Sequence, residues 1–142
     1  DKIVVVLGDN IIEGNIRAAA DKFRAQKEGA RILLKEVPDP QRFGVPVFEG
    51  DRIVKVEEKP KNPASNYAVI GIYMYDYRVF EFIRSLKPSQ RGELEITDVN
   101  NFYINDGKMQ WDVLDGWWSD AGTFESLIAA GNMVAKTGAN KK

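Results

Sequence analysis

Ile3-Val4-Val5-Val6-Leu7 is an unbroken apolar run, mostly β-branched, and it ends in Gly8-Asp9-Asn10. Such a run predicts a strand covered on both faces, as in a parallel sheet, with Asp9 delivered at its carboxyl end. From Glu13 to Glu28 the spacing of Ile16, Ala19, Ala20 and Phe23 predicts a helix with one apolar face, closed at Gly29. Ala30 to Val37 follows as a strand, which gives a strand–helix–strand unit with a right-handed crossover. Pro38-Asp39-Pro40-Gln41 opens a loop. Gly44 to Phe48 and Arg52 to Glu57 form a hairpin turned at Gly50-Asp51. After the polar loop Lys61 to Asn66, Tyr67 to Tyr75 is a long strand.

The second half continues in the same alternation. Tyr77 to Leu86 is a helix burying Val79, Phe80, Phe82, Ile83 and Leu86, and Ser89 to Gly92 is a surface turn. Leu94 to Asn105 is a helix stopped by Gly107, and Lys108 to Leu114 is a strand with Met109, Trp111 and Val113 alternating. Gly116 to Gly122 reads as a turn, Thr123 to Ala135 as the last helix, and Thr137 to Lys142 as a frayed tail. No repeat or long linker divides residues 1–142, so the expectation is a single α/β domain with an antiparallel insertion.

Composition narrows the chemistry. Twenty Lys and Arg against twenty-one Asp and Glu leave a net charge of −1, with no polybasic footprint for nucleic acid. No apolar run reaches membrane-spanning length, no signal-peptide pattern opens the chain, and cysteine is absent; a cytoplasmic setting is expected. Histidine is absent too, which removes the commonest general base and metal ligand. Any chemistry must therefore run on carboxylates, Lys, Arg, Tyr, backbone amides and a bound metal.

Three polar clusters stand out. Asp9 ends its strand, Glu57-Glu58-Lys59-Pro60 ends another, and Asp120 lies in a glycine-bracketed turn after Trp117 and Trp118. Each has a purely structural alternative: Asp9 or Asn10 as a helix cap, Glu57 to Lys59 as a solvated strand end, Asp120 as a second cap. Taken together, Asp9 and Asp120 from separate strands are suited to hold Mg²⁺, with water and phosphate oxygens completing its shell. Lys59 and Arg91 would supply charge for a phosphate, and Glu58 and Glu93 would accept hydrogen bonds from hydroxyls. Trp118 and Tyr73 offer flat faces for a sugar or a base, unless they only pack the core. Phosphate, hydroxyls and Mg²⁺ together point to a sugar phosphate.

Six motifs occur in order: Leu7-Gly8-Asp9-Asn10, Asp39-Pro40-Gln41-Arg42-Phe43-Gly44-Val45, Glu57 to Pro60, Asn66-Tyr67-Ala68-Val69, Arg91 to Asn100, and Trp118 to Thr123. The set, spanning Leu7 to Ala130, resembles the sugar-nucleotide pyrophosphorylases, and within them the branch that transfers a thymidylyl group to glucose 1-phosphate. The resemblance implies a Rossmann-like nucleotidyltransferase domain with a mixed, mostly parallel sheet. It also implies Mg²⁺-dependent joining of dTTP and glucose 1-phosphate into dTDP-glucose and pyrophosphate, on the route to dTDP-rhamnose. By the same resemblance Asp9 and Asp120 are metal ligands. Glu58, with the backbone of Gly44 and Val69, binds sugar hydroxyls. Lys59 and Arg91 hold the sugar phosphate beside Tyr73, and Trp118 borders the site. Phe43 stands where the family usually has Tyr, and Ser119 and Ala121 replace the commoner Leu and Thr.

Family members open with a glycine-rich segment, Gly-x-Gly-Thr-Arg-Leu-x-Pro in pattern, that holds the nucleoside triphosphate. Gly8 and Gly14 are too far apart to imitate it. The expectation is therefore a C-terminal portion of such an enzyme, completed by an N-terminal segment and assembling as the homo-oligomer, often a tetramer, of the family. The alternatives are a uridylyl- or guanylyltransferase of the same family and a non-catalytic sugar-phosphate-binding module.

Overall fold

A computed structural model describes residues 1–141; Lys142, the end of the expected frayed tail, lies outside the described residues. The elements run β1 (Lys2–Val6), β2 (Asn10–Ile12), α1 (Arg17–Ala25), β3 (Ala30–Glu36), β4 (Gly44–Glu49) and β5 (Arg52–Glu58). They continue with β6 (Tyr67–Asp76), α2 (Val79–Ser85), α3 (Ile96–Asn105), β7 (Met109–Val113), β8 (Trp118–Asp120) and α4 (Phe124–Thr137). Short 3₁₀ turns occupy Pro40–Arg42 and Ala139–Lys141.

β6 is the centre of the main sheet. Its ten residues pair antiparallel with β3 along one edge and, along its length, with β1 and β4. β7 then adds to β3 in parallel, and β5 to β4 as the expected hairpin. β1, β3, β4 and β7 thus share one direction while β5 and β6 run the other way. The expected α/β class with a mixed sheet holds, and β1 and β3 are parallel to each other with β6 between them.

Alternation along β6 feeds both faces of the sheet. Val69, Tyr73 and Tyr75 join Ile32, Leu34, Val99, Tyr103 and Ile104 in the larger cluster under α2 and α3. Ile70, Ile72 and Met74 meet Leu33, Leu114 and the Ala19 and Phe23 of α1 on the opposite face. Burying a side chain of this size contributes roughly 1.5–3 kcal/mol relative to exposure, so these two clusters carry most of the folding energy.

Four expectations change. β1 is not covered on both faces: Ile3 and Val5 pack on the larger cluster, while Val4 and Val6 remain 47% and 56% exposed because α1 does not extend over them. The helix expected from Glu13 begins only at Arg17, since Asn10–Ile12 is drawn into a two-stranded sheet with β8. The Gly116–Gly122 turn accordingly contains a strand. The exposed Phe80 and Ile83 lie on the outer side of α2, which buries Val79.

Candidate functional site

The β2–β8 pairing is what brings the two sequence-distant aspartates together. Asn10 is registered opposite Asp120, and the amide of Ala121 donates to the carbonyl of Asp9 at 2.6 Å. A Cβ built on Gly122 would lie 3.2 Å from Asp120 Oδ2 and 3.5 Å from Asp9 Oδ2, so both carboxylates converge on one point. Neither serves as a helix cap. α1 starts after Ile16 with no side-chain cap, and α4 is capped by Thr123, whose hydroxyl accepts from Ser126 N while Ser126 Oγ accepts from Thr123 N.

Asn10 was not among the residues read as functional, yet it orients this centre. Its Oδ1 accepts from Gly71 N at 2.9 Å and from Trp118 Nε1 at 2.7 Å, and its Nδ2 donates to Asp9 Oδ1 at 2.9 Å. One amide thus ties the central strand, the tryptophan and the carboxylate. Gly71 is where it is because the amide needs the room: a Cβ there would meet Asn10 Nδ2 at 2.5 Å and Leu7 Cδ1 at 2.9 Å. Only contact geometry reveals this role; Asn after Asp in a turn carries no such signal in sequence.

The aspartates stand on the wall of a cleft of about 660 Å³, a volume suited to a small ligand. Gly44, Glu58, Lys59, Val69, Tyr73 and Trp118 line the same cleft. α3 is pinned to β5 by Asn101, which donates to Val56 O and accepts from Val56 N. One turn earlier on α3, Thr97 therefore reaches the end of β5 and its hydroxyl donates to Glu58 Oε2 at 2.6 Å. Gly44 opens onto the same carboxylate: a Cβ on it would lie 3.4 Å from Glu58 Oε2.

Lys59 follows with φ +45°, the one non-glycine residue among the described residues in the left-handed region, and its amide donates to Phe43 O at 3.0 Å. That backbone costs on the order of 1 kcal/mol, the kind of local strain that clusters at ligand sites. Its ammonium has no ion-pair partner among the described residues. Tyr73 is buried, and burial, with the Glu58 and Asp9 charges adding, pushes its phenol up to about 12. It stays a protonated donor facing the cleft.

Two expected residues stand elsewhere. Arg91 is held by Glu93 at 2.9 Å and Glu95 at 3.6 Å in the loop before α3, and it lines an adjoining pocket that shares Glu58, Glu95 and Thr97 with the cleft. Glu93 is exposed and lines neither. Their mutual ion pair, two residues apart, satisfies both outside the cleft. Arg42 carries no signal in the sequence that marks it as a site residue. This residue lines the cleft, with Nη1 2.8 Å from Asp39 Oδ2, Nη2 3.5 Å from Asp120 Oδ2, and its guanidinium 5.1 Å from the Phe43 ring. Phe43 in turn meets Trp118 edge-on at 5.2 Å.

The donor set fits a hard cation. The converging groups are two carboxylates, and among the described residues no group of three or more His, Cys, Asp or Glu forms a closed cage. Mg²⁺ is commonly held by one or two carboxylates with water and substrate phosphates.

The sequence model of the nucleotidyl transferase family matches residues 1–137. The chain is 46% identical over 138 residues to a glucose-1-phosphate thymidylyltransferase of Neisseria meningitidis, covering 94% of this chain and 48% of the relative. It is 42% identical over 137 residues to the enzyme of that name from Mycolicibacterium smegmatis, with the same two coverages. A Bacillus anthracis crystal structure described as a glucose-1-phosphate thymidylyltransferase in complex with sucrose superposes with TM-score 0.88 at 53% identity, over 94% of this chain and 54% of that one. The chain spans about half the length of the curated relatives it matches. With the family pattern matched almost from end to end and the fold shared with a solved relative, the chain belongs to the nucleotidyl transferase family.

Proposed function

We propose that this chain carries the sugar-phosphate and metal half of a Mg²⁺-dependent glucose-1-phosphate thymidylyltransferase, which joins dTTP and glucose 1-phosphate into dTDP-glucose and pyrophosphate. The observation that carries this reading is the convergence of Asp9 and Asp120 on one cleft with the Thr97–Glu58 pair and with Lys59, which has no ion-pair partner among the described residues. The names of relatives at 42–46% identity support the choice of sugar and nucleotide. A cytoplasmic setting, a role in dTDP-rhamnose supply and a homo-oligomeric assembly belong to the same reading.

The chemistry suits a chain without histidine. A phosphate monoester has a second pKa near 6, so its attacking oxygen is already anionic at neutral pH and needs no general base. That oxygen forms the bond to the α-phosphorus of the triphosphate as the bond to pyrophosphate breaks. The protein's task is alignment and charge neutralisation. Glu58, fixed by Thr97, accepts from sugar hydroxyls; Lys59 meets the phosphate; protonated Tyr73 donates from the cleft floor. Mg²⁺ held by Asp9 and Asp120 would supply positive charge to the phosphate oxygens.

The test is pyrophosphate release from glucose 1-phosphate and Mg²⁺ in the protein that carries this chain, with dTTP, UTP, GTP, CTP and ATP in parallel. Release fastest with dTTP, and mostly lost on Asp9→Asn or Asp120→Asn, is the expected result. A preference for UTP or GTP moves the assignment to another branch, and turnover at the wild-type rate in either mutant contradicts it.

A further inference from the structure

Arg42 addresses the same oxygen of Asp120 that converges with Asp9. Its Nη2 is 3.5 Å from Asp120 Oδ2, the atom that, with Asp9 Oδ2, flanks the Gly122 position. The guanidinium is fixed from two other sides, by Asp39 Oδ2 at 2.8 Å and by the face of Phe43, itself braced on Trp118. These contacts place it beside the aspartate pair, and it is 43% exposed, so it is not needed to fill the core. Resting on the proposed metal reading of Asp9 and Asp120, we propose that Arg42 is a built-in counter-ion that competes with the divalent cation for Asp120.

The consequence is regulatory. Two close carboxylates repel each other when no cation is present, and Arg42 offsets that repulsion at Asp120. The same charge lowers the affinity of the pair for a free divalent ion, so the site stays weak until a phosphate-bearing substrate brings further oxygen ligands and negative charge. The metal then arrives with the nucleotide rather than as a permanent resident. An arginine serves better than a lysine for this because its planar fork meets Asp39 and Asp120 at once.

The experiment is titration of the 142-residue chain with Mn²⁺ alone, reading free Mn²⁺ by electron paramagnetic resonance. Arg42→Gln and Arg42→Met remove the charge in two different shapes, Arg42→Lys keeps it, and Asp120→Asn removes the ligand. Circular dichroism melts establish which variants fold. Removing a unit charge beside a half-exposed dication site should tighten Mn²⁺ binding by about tenfold at low salt, and by less as salt screens it. Arg42→Lys should stay within about twofold of wild type, since a nearby positive charge is retained. If the neutral variants bind Mn²⁺ no tighter than wild type while Asp120→Asn still abolishes binding, the metal reading stands and the counter-ion role is overturned. If no form, the neutral variants included, binds Mn²⁺ at millimolar concentration even with glucose 1-phosphate present, both are overturned.

Discussion

Replacing Asp76 by Asn should cost this fold a large share of its stability without touching the cleft. Asp76 is 4% exposed at the end of β6, and its carboxylate accepts from Gly29 N at 2.7 Å, Tyr103 OH at 2.8 Å, and the N and Nε of Arg78, each at 3.1 Å. It therefore joins the start of β3, α3 and the entry to α2 at one point. Burial by itself opposes ionisation, but the hydrogen bonds from Gly29, Tyr103 and Arg78 outweigh it and hold this carboxyl below the usual range.

An Asn can keep one oxygen toward Gly29 and Arg78 Nε and turn its amide to the Tyr103 hydroxyl, which can accept. The Arg78 amide then loses its acceptor, and the other bonds lose their charge. Hydrogen bonds to a charged group contribute about 1.5–3 kcal/mol and breaking a buried pair costs about 3–5. Arg78 retains Asp106 at 2.7 Å, which puts the expected loss near 3 kcal/mol. With a urea slope of about 2 kcal/mol/M, the unfolding midpoint should fall by about 1.5 M.

The pH dependence carries a definite sign. A carboxyl whose folded pKa is depressed contributes fully above its unfolded value, about 3.9, and loses that contribution as pH falls through the folded value. The gap between wild type and Asp76→Asn should therefore be widest at neutral pH and narrow below pH 4. A gap under about 1 kcal/mol at pH 7, or one that stays constant down to pH 3, refutes the reasoning.

Other substitutions probe the site itself. Gly71→Ala would drive a methyl into Asn10, costing about 1–3 kcal/mol and weakening Mn²⁺ binding through Asp9; a melting point and Mn²⁺ affinity equal to wild type would contradict this. Thr97→Val removes the hydroxyl on Glu58 while keeping the shape, so calorimetry should show glucose 1-phosphate binding weakened severalfold, about 1 kcal/mol, with little change in melting. Burial raises the phenols of Tyr73, to about 12, and of Tyr75 and Tyr103 further. Because the unfolded chain ionises these groups near pH 10 and the folded chain does not, stability should fall as pH rises from about 10. Absorbance at 295 nm should show these three phenols silent until the chain unfolds.

Much of this architecture is legible in the chain, for identifiable reasons. β3, β6 and the β4–β5 hairpin are long apolar segments bounded by strong turn residues, and α4 opens after Thr123 as expected but runs on to Thr137, past the end expected at Ala135, to a cap at Gly138. β2 and β8 are invisible because three residues carry no period, and the pairing that joins Asp9 to Asp120 is made by register between distant segments. β1 misleads because valine on both faces is the same sequence whether or not a helix covers the second one. At the site, Asp9, Glu58, Lys59 and Asp120 announce themselves as charges at strand ends. Asn10, Arg42 and Thr97 do not, because their roles lie in contacts across 108, 78 and 39 residues of chain. Arg91 and Glu93 pair with each other in the loop before α3, with Arg91 in the pocket adjoining the cleft, a placement set by loop contacts that the sequence does not display.

The most direct test of the central claim is calorimetric titration of the chain with glucose 1-phosphate in the presence of Mg²⁺. Saturable binding that is lost in both Glu58→Ala and Lys59→Ala, and kept in Phe124→Ser on the exposed face of α4, is the predicted result. Absence of binding in the folded wild-type chain, or binding unaffected by either cleft substitution, would contradict the assignment of this cleft to a sugar phosphate.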